Sequence, residues 1–348
     1  MFVEMNLRRI AGLMALSVLL LCVSCKEDEE ETKLYFNGSP TFSLPVFVQA
    51  GELMTLTPST VTRADDDDST LGLGCYWKMN TPGAVADTIR REDASSLPYS
   101  YSFSVPDTLM TMEVTCTIFA DGYYNTSSSS SAIIIRTEGD NRSVQGIVYP
   151  EGTKIFTDPR DDVQYHYITV DGRDWMADNL RWKGAGYSYY DMPVVDPLFG
   201  RYYSWAEAST ACPAGWRLPS NEDFLSLNNA FVETKSTVPN AHFNTGAGNH
   251  MAPAYFNNTV MWEYWPDVDV TNKSGMSLLP MGYIALSDGG DALVFNDILT
   301  YCLLWTSDSI DEDKAYFRAI FERNDRVTCE IGYKNYMAMN VRCIRTAE

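Results

Sequence analysis

Between Leu34 and Arg136 apolar residues recur at every second position in five separate runs: Phe42, Leu44, Val46, Val48; Leu73, Cys75, Trp77, Met79; Tyr99, Tyr101, Phe103, Val105; Met112, Val114, Cys116, Ile118; and Ile133, Ile135. A period of two puts one side of a segment into a core and the other into water, which is the pattern of a half-buried strand. Turn residues separate the runs, at Asn37-Gly38-Ser39-Pro40, Gly51, Pro82-Gly83, Pro106-Asp107 and Asp121-Gly122. About seven strands in ~100 residues predict a β-sandwich. Cys75 and Cys116 both fall on the apolar phase and therefore in the core, either as a disulfide or as two separate buried thiols. Asp65 to Asp68 reads as a solvated loop, because a calcium loop needs alternating ligands and a glycine turn. Ser127 to Ser131 also reads as a loop.

The chain is long enough, at 348 residues, for a second domain of similar or larger size. Its 26 basic residues against 46 acidic ones leave a formal charge of −20. A body so negative repels phosphate backbones at long range, so no nucleic-acid partner is expected.

Two stretches at the start bear on where the protein resides. Arg8 and Arg9 precede the apolar run Ile10 to Cys22, the order of a secretion signal and too short to span a bilayer. No later stretch supplies a transmembrane helix. Leu21-Cys22-Val23-Ser24-Cys25 resembles a bacterial lipobox, which implies cleavage after residue 24 and a lipid on Cys25. Several acyl chains there would hold the protein on a membrane. Lys26 to Glu31 form a charged tether. An acidic run at that place resembles the surface-export signal of Bacteroidetes lipoproteins, so the expected location is the outer membrane with the chain exposed on the cell surface. The strand pattern that follows resembles the immunoglobulin-like modules of bacterial surface proteins.

Glu138-Gly139-Asp140-Asn141 interrupts the alternation and marks a boundary. Beyond it, Val163 to Val170 alternates, Asp171-Gly172 offers a tight hairpin, and Arg173 to Met176 starts the return strand. Two helices follow. Ser204 with Glu207, and Ser220 with Asp223, are spaced as capping boxes, with Trp205, Ala208 and Cys212 on one buried face and Phe224, Leu227 and Phe231 on the other. The rest reads as short strands and long aromatic loops.

Seven blocks then occur in order: Thr157 to Asp161, Trp175-Met176-Ala177-Asp178-Asn179-Leu180, Gly200 to Trp205, Ala211 to Ser220, Asn272 to Pro280, Leu304-Trp305-Thr306-Ser307, and Val341-Arg342-Cys343-Ile344. Together they resemble the Fibrobacter succinogenes major paralogous domain across residues 146 to 348. One departure is Met281-Gly282, where that family usually has Gly-Gly. The stretch Ser204 to Leu225 and the cysteine of the final strand also resemble a C-type lectin-like domain. That likeness implies a disulfide between Cys212 and Cys343 and a second between Cys302 and Cys329. The resulting expectation is an α+β chain: signal peptide 1–24, tether 25–33, an immunoglobulin-like β-sandwich over 34–138, and a C-type lectin-like α+β domain over 146–348.

Glu-Pro-Asn, Gln-Pro-Asp and Trp-Asn-Asp, the calcium-dependent sugar motifs of C-type lectins, do not occur here. Loop acids such as Asp267, Asp269, Asp288, Asp291, Asp308, Asp311 and Asp313 could still offer oxygens to calcium, but their spacing forms no recognisable metal loop. No cofactor is therefore expected. His166, His242 and His250 lack metal-ligand spacing, and neither a Gly-x-Ser-x-Gly nor a His-Glu-x-x-His motif is present, so no catalytic residue is assigned and the chain is not read as an enzyme. Aromatic side chains are the sharper signal. Tyr187, Tyr189 and Tyr190 share one loop. Tyr255, Phe256, Trp262, Tyr264 and Trp265 share another, beside Asp267 and Asp269. Aromatic faces next to carboxylates and amides suit pyranose rings. For Trp262 and Trp265, binding and packing weigh about equally, whereas Trp175, Trp205, Trp216 and Trp305 read as core. The function expected is a non-catalytic binding module for a glycan or a surface protein. The alternatives are a structural or adhesive subunit of a surface assembly and, less favoured, a carbohydrate-active enzyme, since two suitably placed carboxylates among the 46 acids would suffice for a glycosidase.

Overall fold

A computed structural model describes residues 33–64, 72–80, 87–91, 99–108, 110–136, 147–257, 259–262, 268–287 and 292–347. The signal segment, Cys25 and its tether, Asp65 to Asp68, the boundary at Glu138 to Asn141, and Tyr264, Trp265, Asp267, Asp288 and Asp291 lie outside the described residues. No helix among the described residues is long and apolar enough to cross a membrane. The chain is β-rich, with 43% strand and 11% helix, and among the described residues the helices fall in the second half.

The first half carries β1 (Phe36–Asn37), β2 (Phe47–Gln49), β3 (Leu53–Leu56), β4 (Thr62–Arg63), β5 (Gly74–Asn80), β6 (Asp87–Arg91), β7 (Tyr101–Ser104), β8 (Thr111–Phe119) and β9 (Thr126–Ile135). Five of them form one sheet in the order β2-β9-β8-β5-β6, and β3 pairs with β7 in a second. The alternating residues meet between these layers: Leu56, Tyr101 and Phe103 pack in one cluster with Trp77, Val114, Cys116 and Ile118. Ser127 to Ser131, expected as a loop, run instead as part of β9. Their hydroxyls pair with those on β8, Ser127 with Thr117 and Ser129 with Thr115 at 2.8 Å each, so a polar tract satisfies one face of a strand. Cys75 and Cys116 hold their sulfurs 3.7 Å apart as thiols.

The second half continues with β10 (Lys154–Thr157), β11 (Gln164–Val170), β12 (Arg173–Met176), α1 (Asp196–Phe199), β13 (Tyr203–Ser204), α2 (Trp205–Ala211), α3 (Asn221–Asn229), β14 (Phe243–Thr245), β15 (Tyr255–Phe256) and β16 (Thr259–Val260). It closes with β17 (Met281–Leu286), β18 (Leu293–Ile298), β19 (Tyr301–Ser309), β20 (Lys314–Phe321), β21 (Arg326–Tyr333), β22 (Met337–Met339) and β23 (Ile344–Thr346). A four-stranded sheet, β10-β11-β12-β23, joins the start of this half to its end. The larger sheet runs β13-β22-β17-β19-β20-β21-β14, with β18 added on β17. Asp171 and Gly172 turn β11 into β12 with φ of 47° and 70°, the left-handed pair a tight hairpin requires.

In the β19–β21 meander, β19 and β20 are covered on both faces, while β21 buries Val327 and Cys329 and leaves Ile331 and Tyr333 exposed. Leu303, Trp305 and Phe317 pack with Ala208 and Ala211 of α2, while Leu304, Ile320 and Val327 pack with Phe224 and Leu227 of α3. A strand buried on both faces loses its alternation. That is why Tyr301 to Trp305 does not show the period of two. Both helices start as expected, since Ser204 and Ser220 accept from the backbone N–H of Glu207 and Asp223 and the acids bond back. Asp308 adds a carboxylate at the first turn of α3 by accepting from the Asn221 N–H.

Cys212, at the end of α2, is bonded to Cys343 before β23. Cys302 and Cys329, expected as the second pair, are not bonded. Cys302 sits on β19 opposite Ile320, and Cys329 on β21 opposite Arg318, with β20 between them. Two strand spacings separate their backbones by about 9–10 Å, beyond the ~7 Å a disulfide can bridge.

The two halves share a core. Phe47, Ile133 and Ile135 of the first sheet are buried in one cluster with Tyr189, Phe199, Phe256 and Met281 of the second half. Two polar contacts fix the seam: the Phe47 N–H donates to the Tyr189 hydroxyl at 3.2 Å, and the Asn257 amide donates to the Ile134 carbonyl at 2.6 Å.

Candidate functional site

The residues of the recognisable blocks mostly build the scaffold. Arg342 is buried and places its guanidinium against Asn179 Oδ1 at 2.6 Å and the carbonyls of Met276 at 2.9 Å and Met176 and Ser277 at 3.3 Å. One side chain thereby ties three blocks together. Asp178 receives the Tyr149 hydroxyl at 2.8 Å, the His166 backbone N–H at 2.6 Å and the His166 ring at 2.9 Å. Burial works to raise the Asp178 carboxyl, but the bonds from His166 and Tyr149 outweigh it and its pKa falls below the ordinary carboxylate value. His166, stacked on Tyr149 at 4.0 Å, is raised by its bond to Asp178. The expected core tryptophans Trp175, Trp216 and Trp305 are buried, and Trp205 is half-buried.

Trp262 turns inward. Its ring packs with Trp175, Met251 and Val268, its Nε1 donates to the Leu278 carbonyl at 2.8 Å, and only 6% of the residue is exposed, so no face remains for a ligand. Trp262 is therefore withdrawn from the expected binding set. Tyr255 points outward at 41% exposure on the β15–β16 hairpin, opposite an equally open Val260. Asp269 is exposed, and its backbone carbonyl lies where a side chain on Gly248 would stand.

The stronger aromatic surface is in the other tyrosine loop. Tyr189 is buried against Phe47, while Tyr190 is 46% exposed and stacked on Phe295 of β18 with ring centroids 4.4 Å apart. The Tyr190 ring is thus backed by Phe295, meets the Tyr189 ring edge-on with centroids 4.8 Å apart, and leaves about half of the residue open to solvent. Its backbone is in the left-handed region at φ 45°, and Asp191 follows at φ 54°. Two successive non-glycine residues there cost roughly 1–2 kcal/mol each, which the surroundings must impose. Arg201 does much of this. Its guanidinium donates to the carbonyls of Ala185 and Gly186, to the Ser188 hydroxyl at 2.6 Å and to Asp196 at 2.7 Å, fixing the loop on both sides of the tyrosines. Tyr190 and Tyr255 rise from a common base, since Tyr189 and Phe256 both touch Phe47. The sequence pointed to both loops, but nothing in it signalled Phe295 as the backing ring.

A second concavity, an open cleft of about 710 Å³, lies against α3 and is lined by Asp171, Glu222, Ser226, Asn229, Lys235 and Thr237. None of its lining residues is aromatic, so it offers no stacking face. Among the described residues no group of three His, Cys, Asp or Glu side chains is placed to hold a metal ion.

The sequence profile of the Fibrobacter succinogenes major domain matches residues 168–345, just over half of the chain. The chain belongs to that family. No curated protein matches it. On the structure, this Fibrobacter succinogenes major domain runs from the last three residues of β11 into β23, so it contains α1, α2 and α3, the disulfide, the Arg342 tie and the Tyr190 loop.

Proposed function

We propose that the chain is a lipoprotein anchored through Cys25 on the outer face of the outer membrane, and that it is a non-catalytic module that binds glycan on the Tyr190 ring. The observation that carries the binding reading is the strained, backed and half-open tyrosine: a fold keeps such a backbone where the side chain has work at the surface. A pyranose offers an apolar C–H face for the ring and hydroxyls for neighbouring carboxylates, of which Asp191 is the nearest in sequence. The reading as binder rather than enzyme rests on the sequence, which carries no nucleophile or zinc motif.

The same proposal takes the first half as an immunoglobulin-like module and the second as C-type lectin-like. Two packed sheets, antiparallel except for the parallel β2–β9 pair, support the former. Support for the latter comes from the order of two helices before a strand meander, and from the Cys212–Cys343 bond joining the first of those helices to the last strand. Because the halves share the Phe47 cluster, the first half is a rigid mount rather than a hinged spacer.

The test is a glycan-array and mucin-binding screen of the full chain, with calcium and with chelator, beside Tyr190→Ala and Tyr255→Ala. Loss of binding in a folded Tyr190→Ala protein supports the site. Binding retained by both variants places the ligand elsewhere, and no binding to any glycan turns the search to protein partners on the intact cell.

A further inference from the structure

The described chain enters the first half at one pole. The Leu34 N–H donates to the Gly122 carbonyl and the Tyr124 N–H to the Leu34 carbonyl, both at 2.9 Å, so the chain is pinned at Leu34 to the turn between β8 and β9. Tyr35 and Tyr124 stack there with ring centroids 4.9 Å apart, yet they stay 72% and 48% exposed, and Leu34 beside them is 44% exposed. Phe36 stacks on the buried Tyr123 at 4.7 Å, a second ring pair that holds this turn in place. Two cations lie over the same rings, Lys33 Nζ 5.9 Å from the Tyr124 centroid and the Arg63 guanidinium 5.0 Å from that of Tyr123. The other end of β9 carries Ile133 and Ile135, buried against the second half. Seven residues lead from Thr126 to Ile133, about 23 Å of strand. The exposed aromatic patch and the second half therefore sit at opposite ends of the first sheet.

We propose that this pole rests on the lipid bilayer, with Leu34, Tyr35 and Tyr124 in the boundary between headgroups and acyl chains. The inference rests on the anchoring through Cys25 proposed above, and not on the glycan reading. Seven residues separate Cys25 from Lys33, and a chain spans at most about 3.6 Å per residue, so a lipid on Cys25 keeps the patch within about 29 Å of the membrane. The occupant is the bilayer rather than a protein because the anchor holds this pole beside it in every copy of the chain. A tyrosine joins an apolar ring to a hydroxyl, which suits an interface that is apolar on one side and wet on the other. Lys33 and Arg63 offer cations to lipid phosphates, while Asp121 on the same turn and the acids from Glu27 to Glu31 oppose an anionic surface. The charges thus work against each other and the rings supply the attraction, so contact is expected with zwitterionic headgroups and should change little with salt. A lipid on Cys25 sets distance but not orientation, and the patch sets both. Docked by it, β9 leads away from the bilayer, and the second half with its Tyr190 loop is presented outward.

The experiment starts from the protein purified from membranes, whose intact mass reports whether Cys25 carries lipid. A mass without acyl chains overturns the anchor, and this proposal with it. Lipidated protein is then placed in phosphatidylcholine vesicles with brominated acyl chains, with a fluorophore on Asn125→Cys next to the patch or on Val260→Cys of the β15–β16 hairpin beside the Phe47 cluster. Both positions are exposed, whereas Cys75, Cys116, Cys302 and Cys329 are buried and take no label. The fluorophore at residue 125 should be quenched at low and high salt alike, and the one at residue 260 should not. Tyr35→Ser together with Tyr124→Ser should abolish the quenching while thermal melting is kept, because both residues are exposed. Tyr35→Ser alone serves the same purpose if the double variant does not fold. No quenching at residue 125 in lipidated protein, equal quenching at both positions, or quenching that survives the folded double variant overturns the proposal and leaves the anchor standing. Protection of residue 125 that follows protein density on the vesicle rather than bromine assigns the patch to a second copy, and overturns it too.

Discussion

The Phe47 ring lies 4.7 Å from the ring of Phe199, one from a strand of the first half and the other from the short helix α1 of the second. Neither is exposed, and Phe256 and Tyr189 complete the cluster. Truncating a buried phenylalanine typically costs about 3–5 kcal/mol, the sum of lost transfer energy and a residual cavity. Phe47→Ala should therefore lower stability by that order. Because the cavity opens in both halves, calorimetry should show the wild-type chain melting in one transition and the variant either melting lower as a unit or splitting in two. A second-half transition unchanged in the variant would show that the seam does not couple the halves.

The Cys212–Cys343 bond closes a loop of 131 residues between α2 and the last strand. On the chain-entropy account such a loop is worth up to about 5 kcal/mol, with measured values commonly 2–5. Cys343→Ser, or reduction of the wild type, should lower the urea midpoint accordingly. Cys302→Ser and Cys329→Ser test the opposite case: each perturbs packing alone, and neither should change the count of disulfides read by mass spectrometry after alkylation.

Cys75 and Cys116 differ from that pair because they lie on adjacent strands, Cys75 opposite Ile118 and Cys116 opposite Trp77. Their sulfurs are diagonal neighbours at 3.7 Å, so a small approach suffices for a bond. Burial and the neighbouring Cys75 sulfur push the Cys116 thiol up, Cys75 as hydrogen-bond partner being the larger cause, so attack by its thiolate is slow at neutral pH. The expected outcome is a reduced pair after purification in reductant and a disulfide after prolonged oxidation, read as a loss of two protons in intact mass. A pair that stays alkylatable after exhaustive oxidation would show that the sheet does not allow the approach.

Much of this architecture was legible in the residues, and the exceptions have physical causes. The period of two located β5, β7 and β8, and both capping boxes located α2 and α3, because these elements bury one face only. The last part of the chain reads only as short strands and loops, and the long β19 carries no period of two because Cys302 to Trp305 are buried on both its faces. Ser127 to Ser131 were missed because cross-strand hydroxyl pairs can carry a polar strand. The Cys302–Cys329 expectation failed on spacing across the sheet, which depends on strand order and not on the chain. At the candidate site the sequence indicated aromatic loops but not which rings face water. Trp262 is consumed by packing with Trp175, whereas Tyr190 is held open by Arg201 and Phe295, residues near and far in the chain whose roles appear only once the fold brings them together.

His250 gives the chain a predictable response to acid. It is fully buried, with Nδ1 2.9 Å from the Ser274 hydroxyl and Nε2 3.1 Å from Asn228 Oδ1, and burial lowers its pKa to about 4 from an ordinary 6.5. Between those values the unfolded chain takes up a proton that the folded one refuses. Stability from this group is therefore present above pH 6.5 and lost as pH falls toward 4, by roughly 3 kcal/mol at about 1.4 per pH unit. His166 acts with the opposite sign, since its raised pKa adds stability at low pH that is lost as pH rises through it. Urea midpoints of the wild type should fall between pH 7 and 4.5, and those of His250→Gln should fall less. An equal fall in both would assign the acid response to other groups.

Tyr190 allows strain and binding to be separated at one residue. In the left-handed region an alanine keeps the backbone penalty and loses the ring, whereas a glycine loses both, since it has no Cβ to clash. Tyr190→Gly should therefore be more stable than Tyr190→Ala by about 1 kcal/mol, the reverse of the order in an ordinary helix. Relative to wild type, the glycine variant trades that relief against the stacking on Phe295, itself worth about 0.5–1.5 kcal/mol, so its net change should be small. Thermal or urea unfolding of the three proteins measures this directly. A glycine variant no more stable than the alanine one would mean that the loop relaxes without cost. The backbone at Tyr190 would then hold no strain for a ligand site to explain.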